Sequence, residues 1–394
     1  MNKLKILVLT NLYPPQVIGG YERAIADCAR LLYRRGHTVL VLTSKIPGHS
    51  PNYLEDDAEP MVQRCLSLSG VWTNKGTERF PLEQAALITL ENREILAQKL
   101  QSFQPHVCLV GNIDFLGLEL LEKILADGIP IAHYVMNSAP GYPSGLAPKT
   151  SIHQYITCSH WIQHHLQQQG YPVKTAQTIY PGAAVEEFYQ PELPARDQLR
   201  IAYASLVMPY KGADVLIEAL SLLHAAGVRF TATIAGSTLM PEFVQALQEF
   251  VESEGMQDKI QFPGVLSRQE LKQLYQTHNV LVFPSRFQEP FGISQIEAMA
   301  AGLTLVTSGT GGAGEIVEHG ETGLIFESEN PLALADILSS LPAHPDEWEM
   351  ITRQGQKHAI EQFSQTKAVE ELEAVLWRLT SIGNNISTHV AHSS

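Results

Sequence analysis

Cysteine is scarce in this 394-residue chain: Cys28, Cys65, Cys108 and Cys158 lie far apart and form no CxxC pair. That spacing excludes a disulfide framework, a zinc knuckle and a dithiol redox motif, and it suits a reducing cytosol. No apolar run approaches the ~20 residues that a membrane-spanning helix needs, so any membrane contact is expected to be peripheral, at an inner membrane face. The opening MNKLKILVLT is too short a run for a signal-peptide core and meets Asn11 and Pro14 at once, which reads as a first buried strand. Low-complexity and repetitive tracts are missing, excluding a solenoid or a disordered chain. A surplus of positive charge is missing as well. Net charge is -14, with 15 Lys/Arg against 16 Asp/Glu in 1–190 and 12 against 25 in 191–394. So acidic a second half argues against nucleic acid as a partner, and any phosphate it holds must meet cations placed locally.

What is present is an ordinary globular composition, 44% hydrophobic and 17% charged, in a chain long enough for about two domains. Short Val/Ile/Leu runs alternate with helix-length amphipathic stretches, the sequence form of a parallel sheet covered by helices. The first half offers strands at Lys5–Leu9, Thr38–Leu42, Val107–Val110, Ile129–Ala132 and Tyr155–Thr157, and a helix at Tyr21–Arg35. Prolines and charges interrupt the pattern at 190–198, and a new strand begins at Leu199. Strands at Phe230–Ala235, Lys259–Phe262, Val280–Pro284 and Leu303–Thr307 follow, interleaved with helices at Gly212–His224, Pro241–Glu254, Arg268–Thr277 and Gly292–Ala301. The expected fold is α/β, two Rossmann-like doubly wound domains, 1–190 and 191–364, facing across a cleft. Ligands then belong at the carboxyl ends of the strands. A last amphipathic helix over 365–394 is expected to pack back on the first domain, its alternative being a place within the second.

The most informative segment is FPSRFQEPFGISQIEAMAAG, Phe283–Gly302: a strand end, a loop, and a helix opening at Gly292. Unpaired amides at a helix amino terminus carry about half a positive charge, so Gly292, Ile293 and Ser294 suit a diphosphate. Glu289 and Glu297, with Pro290, Phe291 and the AMAAG tail, resemble the paired-glutamate signature of retaining glycosyltransferases of the GT-B fold, family 4. The resemblance implies that Glu297 takes the ribose hydroxyls of a nucleotide and that Glu289 faces the hexose. An ionised carboxylate suits both tasks, since it accepts two hydrogen bonds from a neutral diol. The bland reading is a pair of solvated glutamates at a helix start, where acids are common.

Three further segments fit that family. Gly309, Gly311 and Gly314 match GxGxxG, but after a late strand; Gly311, Gly312 and Glu315 better resemble the family's glycine-rich loop beside the donor sugar. Gly19 and Gly20, before the first helix, are similar to the family's loop over the donor diphosphate, the alternative being a plain flexible connection. Lys211 follows the strand Leu199–Ala204 where family members place a diphosphate-binding lysine. An arginine usually precedes it, yet 205–210 reads SLVMPY. Arg286 and Arg23 are the candidate replacements. The resemblance also implies a histidine near the donor sugar, for which His133 is the candidate, with a core histidine as the alternative. His160 and His164 lack the acidic ligands of a metal site.

The expected function is therefore transfer of a hexosyl group from a UDP- or GDP-sugar to a glycan, lipid-linked or small-molecule acceptor, with retention, no cofactor and no metal. Catalytic roles fall to Glu289, Lys211 and His133. Donor binding falls to Gly19, Gly20, Lys211, Arg286, Phe291, Gly292, Ile293, Ser294, Glu297, Gly311 and Gly312. A nucleotide-sugar binder without turnover and a nucleotide-sugar epimerase are the rivals, and donor base, sugar and acceptor identity stay open.

Overall fold

A computed structural model describes residues 3–45, 59–73 and 76–391. The chain divides into two compact units, Met1–Pro181 with Gln365–Ser394, and Gly182–Ser364. The division precedes the proline- and charge-rich 190–198 stretch because a short helix between the two, Val185–Phe188, is buried in the second unit.

The first unit runs β1 (Lys5–Leu9), α1 (Gly20–Arg34), β2 (Thr38–Ser44), β3 (Met61–Leu66), β4 (Gly70–Thr73), β5 (Gly76–Arg79), α2 (Leu82–Phe103), β6 (Val107–Val110), α3 (Glu119–Ala126), β7 (Ile131–Val135), β8 (His153–Thr157), α4 (His160–Gln168) and β9 (Gln177–Thr178). Its main sheet has the order β3-β2-β1-β6-β7-β8-β9 and is parallel throughout, while β4 and β5 form a separate antiparallel hairpin. Helix α1 buries Ala24, Ile25, Cys28, Ala29 and Leu32, one apolar stripe at helical spacing. Strand β7 starts after Pro130 because proline has no N–H for the ladder, which moves the strand past the expected Ile129–Ala132. His133 accordingly lies inside the strand.

The second unit runs α5 (Val185–Phe188), β10 (Leu199–Ala204), α6 (Ala213–Ala225), β11 (Phe230–Ala235), α7 (Pro241–Ser253), β12 (Ile260–Gly264), α8 (Arg268–Thr277), β13 (Val280–Phe283), α9 (Ile293–Ala300), β14 (Thr304–Thr307), β15 (Leu324–Ile325), α10 (Pro331–Ala343) and α11 (Pro345–Gln362). Its parallel sheet has the order β12-β11-β10-β13-β14-β15. Leu199, Ile201, Leu216, Leu220, Val282 and Trp348 share its core. Trp348 is buried and donates its indole N–H to Thr304 Oγ1 at 2.7 Å, so the polar end of that large side chain is satisfied. The last helix, α12 (Gln365–Ala391), belongs to the first unit, where Glu373 accepts from Arg35 (2.7 Å) and meets His37 Nε2 (2.8 Å). His37 Nδ1 accepts from the Leu4 amide, so Nε2 carries the proton. None of the described helices is long and apolar enough to cross a membrane.

Candidate active site

Strand order in the second unit reverses between β10 and β13, and the loops that leave such a switch point are where an open parallel sheet receives ligands. The loop after β10 ends in a one-turn 3-10 helix, Pro209–Lys211; the loop after β13 covers 284–292. Main-chain bonds join them, Arg286 N and Phe287 N both donating to Tyr210 O at 3.0 and 3.1 Å. Lys211 and Glu289 are thereby brought together: Lys211 Nζ donates to Glu289 Oε1 at 2.5 Å, and Ser285 Oγ donates to the same oxygen at 2.6 Å. Glu289 is 5% exposed. Both donors offset the loss of water around so buried a carboxylate. Gly212 ends the turn at φ +73, and a Cβ there would stand 1.9 Å from Pro284 O, so only glycine lets the two loops meet.

The glycine-rich loop fixes Glu289 from the other side. Gly312 N donates to Glu289 O at 2.7 Å, and Gly311, at φ +64, lies so near that a Cβ would come within 2.4 Å of the same carbonyl. Gly311 and Gly312 thus hold the Glu289 main chain. Gly292 caps α9, and the amides of Gly292, Ile293 and Ser294 have no acceptor among the described residues, leaving the positive end of that helix open. The Phe291 side chain is buried against Phe363, ring centroids 5.8 Å apart. Glu297 points from the first turns of α9 and is 8% exposed; its Oε1 receives Arg268 Nη1 at 3.3 Å, while Arg268 Nε donates to Glu187 at 2.8 Å and the guanidinium lies over Phe188.

Arg286 does not stand free as a replacement for the arginine missing from 205–210. Its Nη1 and Nη2 pair with Asp214 at 2.7 and 2.8 Å, Nε donates to Glu329 at 3.0 Å, and Nη1 also donates to Pro209 O at 2.6 Å. With two carboxylates around it, this cation braces the turn that carries Lys211.

In the first unit the reversal lies between β1 and β6. Tyr21 is half-buried there, its hydroxyl between Thr10 Oγ1 and the Asn112 amide. Asn11 Nδ2 donates to Asp114 Oδ2 at 3.3 Å; burial pushes the Asp114 carboxyl up, while Arg79 and the Asn11 bond oppose it. The amide of Gly19 is already taken by Glu22 Oε2 at 3.0 Å, and burial raises the Glu22 carboxyl. Gly20 opens α1 beside it. His133, the catalytic candidate, is 1% exposed, shares a 3.0 Å hydrogen bond with Tyr142 and stacks on Tyr155, and burial holds its pKa well below the usual value. Those are the surroundings of a core histidine. Arg23 is exposed at the start of α1. His164 meets Gln168, and among the described residues no group of three His, Cys, Asp or Glu side chains has metal-binding geometry.

The two halves match two family models, "Glycosyltransferase Family 4" over 18–187 and "Glycosyl transferases group 1" over 185–358. An uncharacterized glycosyltransferase of Methanocaldococcus jannaschii is 31% identical over 363 residues, covering 84% of this chain and 87% of its own. The chain belongs to glycosyltransferase family 4. A GDP-mannose-dependent alpha-(1-6)-phosphatidylinositol monomannoside mannosyltransferase of Mycobacterium tuberculosis is 27% identical over 363 residues, covering 86% of this glycosyltransferase and 89% of the relative. The crystal structure of Anabaena HepE with UDP and glucose matches it with a TM-score of 0.71 at 19% identity, over 95% of this chain and 100% of that one. The glycosyltransferase thus has the GT-B fold, two Rossmann-like domains. Two residues that the sequence reading passed over now stand out in it, Arg268 beside Glu297 and Asp114 after β6. Arg268 opens a helix of unremarkable pattern and Asp114 lies in an irregular loop, so neither carried a spacing signal.

Proposed function

We propose that this glycosyltransferase moves a hexosyl group from a UDP- or GDP-sugar, with retention and without a metal ion, to a glycan, lipid-linked or small-molecule acceptor. The observation that carries the reading is the Lys211–Glu289 pair at the β10/β13 switch point, next to the open amides of α9. In this reading the diphosphate lies against the amides of Gly292, Ile293 and Ser294, Glu297 accepts from the ribose diol, and Glu289 accepts from the hexose. As the bond between the anomeric carbon and the diphosphate oxygen breaks, the electron pair stays with the diphosphate. Lys211 and the amides stabilise that growing charge, and one such preorganised donor is worth about 2.7–4 kcal/mol in the barrier. Retention and the choice of UDP or GDP rest on the family; the mycobacterial relative is GDP-mannose-dependent and the Anabaena neighbour was crystallised with UDP and glucose.

The test is release of nucleoside diphosphate from a panel of UDP- and GDP-sugars, with Lys211→Ala alongside. Release that falls at least a hundredfold in the variant supports the reading; equal release contradicts it. The lack of an arginine in 205–210, with Arg286 committed to Asp214 and Glu329, favours a second reading, a nucleotide-sugar binder. Tight binding with no release across the panel selects it.

A further inference from the structure

None of the 41 Asp and Glu residues falls between Gly128 and Val185, where the only formal charges are Lys149 and Lys174, beside five histidines. In a protein of net charge -14, so long a stretch without a carboxylate marks a surface of opposite character. It forms β7, β8 and β9, three neighbouring strands that end one edge of the first unit's sheet, so the bias in sequence becomes a place in the fold.

A cavity of about 480 Å³ lies at the amino ends of β8 and β9, and its lining contains no Asp or Glu. That volume is within the range of small-molecule pockets, about 300–1,000 Å³. The lining is rich in donors. Lys149 is exposed and, like Ser151 and Thr175, forms no side-chain hydrogen bond or ion pair with the described residues. Gln154 Oε1 accepts from Arg378 Nη2 of α12 at 3.3 Å, which leaves the Gln154 Nε2 amide as a donor. Arg378 shares that nitrogen with Gln177 Oε1, also at 3.3 Å, and among the described residues no carboxylate cancels its charge. His153, 8% exposed, lines the cavity too, and neither of its ring nitrogens has a partner among the described residues. A buried imidazole left in that state is destabilising, and a polar ligand that reaches it removes the penalty. Donors without acceptors, a cation and no carboxylate are complementary to an anion with several oxygens. Tyr155, edge-on to His153 at 4.6 Å between ring centroids, adds an aromatic wall for the body of such a molecule.

We propose that this cavity binds a phosphate monoester of sugar size, its phosphate on Lys149, Ser151 and Thr175 and its hydroxyls on Gln154 and His153. Open parallel sheets receive their reacting ligands at the carboxyl ends of the strands, whereas this cavity opens at the amino ends, so its occupant is a separate ligand and the proposal is independent of the transferase reading. The connection from β7 to β8, residues 136–152, links the two ends of the sheet. Ser151 lines the cavity, while Gly141 lies so near the loop after β6 that a Cβ there would stand 3.0 Å from the Asp114 amide. An occupant that orders 149–151 therefore also restrains the neighbours of Asp114.

The probes are hexose 1- and 6-phosphates, titrated calorimetrically into the full chain beside glucose, inorganic phosphate, and phosphatidylcholine vesicles containing phosphatidic acid. At least one hexose phosphate is expected to bind tenfold tighter than glucose or inorganic phosphate, with the same affinity when UDP or GDP is present in excess. Lys149→Gln, and separately Ser151→Ala with Thr175→Ala, should each weaken it at least tenfold; all three side chains are exposed, so the fold survives the changes. Amide hydrogen exchange should slow at 149–155 and 174–177 on binding. Displacement by UDP or GDP, protection confined to 284–292, or undiminished binding by both variants overturns the proposal, since the phosphate is then held elsewhere. No binding by any hexose phosphate overturns it too, and attachment to the phosphatidic acid vesicles in that case assigns the surface to a lipid headgroup instead.

Discussion

Lys211 Nζ and Glu289 Oε1 stand 2.5 Å apart, joined from two loops that follow different strands of one sheet. Each side chain is nearly enclosed, so each is the other's main compensation for lost water. Lys211→Ala leaves the Glu289 carboxylate with Ser285 alone and should cost about 3 kcal/mol of stability. Lys211→Ala with Glu289→Ala should cost less than the two single changes added together. Urea denaturation of the four proteins checks this, and strict additivity refutes the coupling.

Gly311 is expected to be intolerant for a reason separate from charge. An alanine there meets Glu289 O at 2.4 Å and holds a positive φ that side chains rarely adopt. Gly311→Ala should displace Glu289, lower the unfolding midpoint and raise the donor KM. Unchanged donor kinetics in a folded Gly311→Ala variant would show that the close approach has no part in the site.

Arg268 holds one oxygen of Glu297 while anchored to Glu187, and under the proposed function it positions Glu297 for the nucleotide. Arg268→Ala should raise the donor KM about tenfold, a loss of about 1.4 kcal/mol in uniform binding, and leave kcat within about twofold. Arg268→Lys should recover part of the loss. A fall in kcat at constant KM would assign Arg268 to the transition state instead.

Much of this was legible in the sequence because it depends on local pattern. Buried parallel strands read as continuous apolar runs, which places β1, β6 and β10 at the expected residues. The region 59–103 was illegible for the opposite reason: β3 is partly exposed, the β4–β5 hairpin is mostly open, and the front of α2 carries leucines on its solvent side. Lys211, Glu289, Gly311 and Glu297 were singled out by the resemblance of their segments to the family's motifs, and the fold brings Lys211, Glu289 and Gly311 together. That Arg286 is spent on Asp214, or that Gly19 is satisfied by Glu22, was not legible, because both are side-chain choices among neighbours that only the fold supplies.

Stability should fall on mild acidification. Burial pushes His153 down to about 4 and His133 well below its usual value, and neither ring nitrogen of His153 has a hydrogen-bond partner among the described residues. Folded pKa values below the unfolded 6.5 favour the neutral rings. Their contribution is therefore fully present above about pH 6.5 and is lost as pH falls toward 4. His153→Leu should lose about 2 kcal/mol less than the parent between pH 7 and pH 5. Equal losses in denaturation at the two pH values would contradict it.

A crystal structure with UDP or GDP bound tests most directly where the nucleotide goes. The diphosphate is predicted within hydrogen-bond reach of the Ile293 and Ser294 amides and Lys211 Nζ, with Glu297 on the ribose hydroxyls. A nucleotide seated elsewhere, with the amino end of α9 bare or covered by the protein's own side chains, would contradict it.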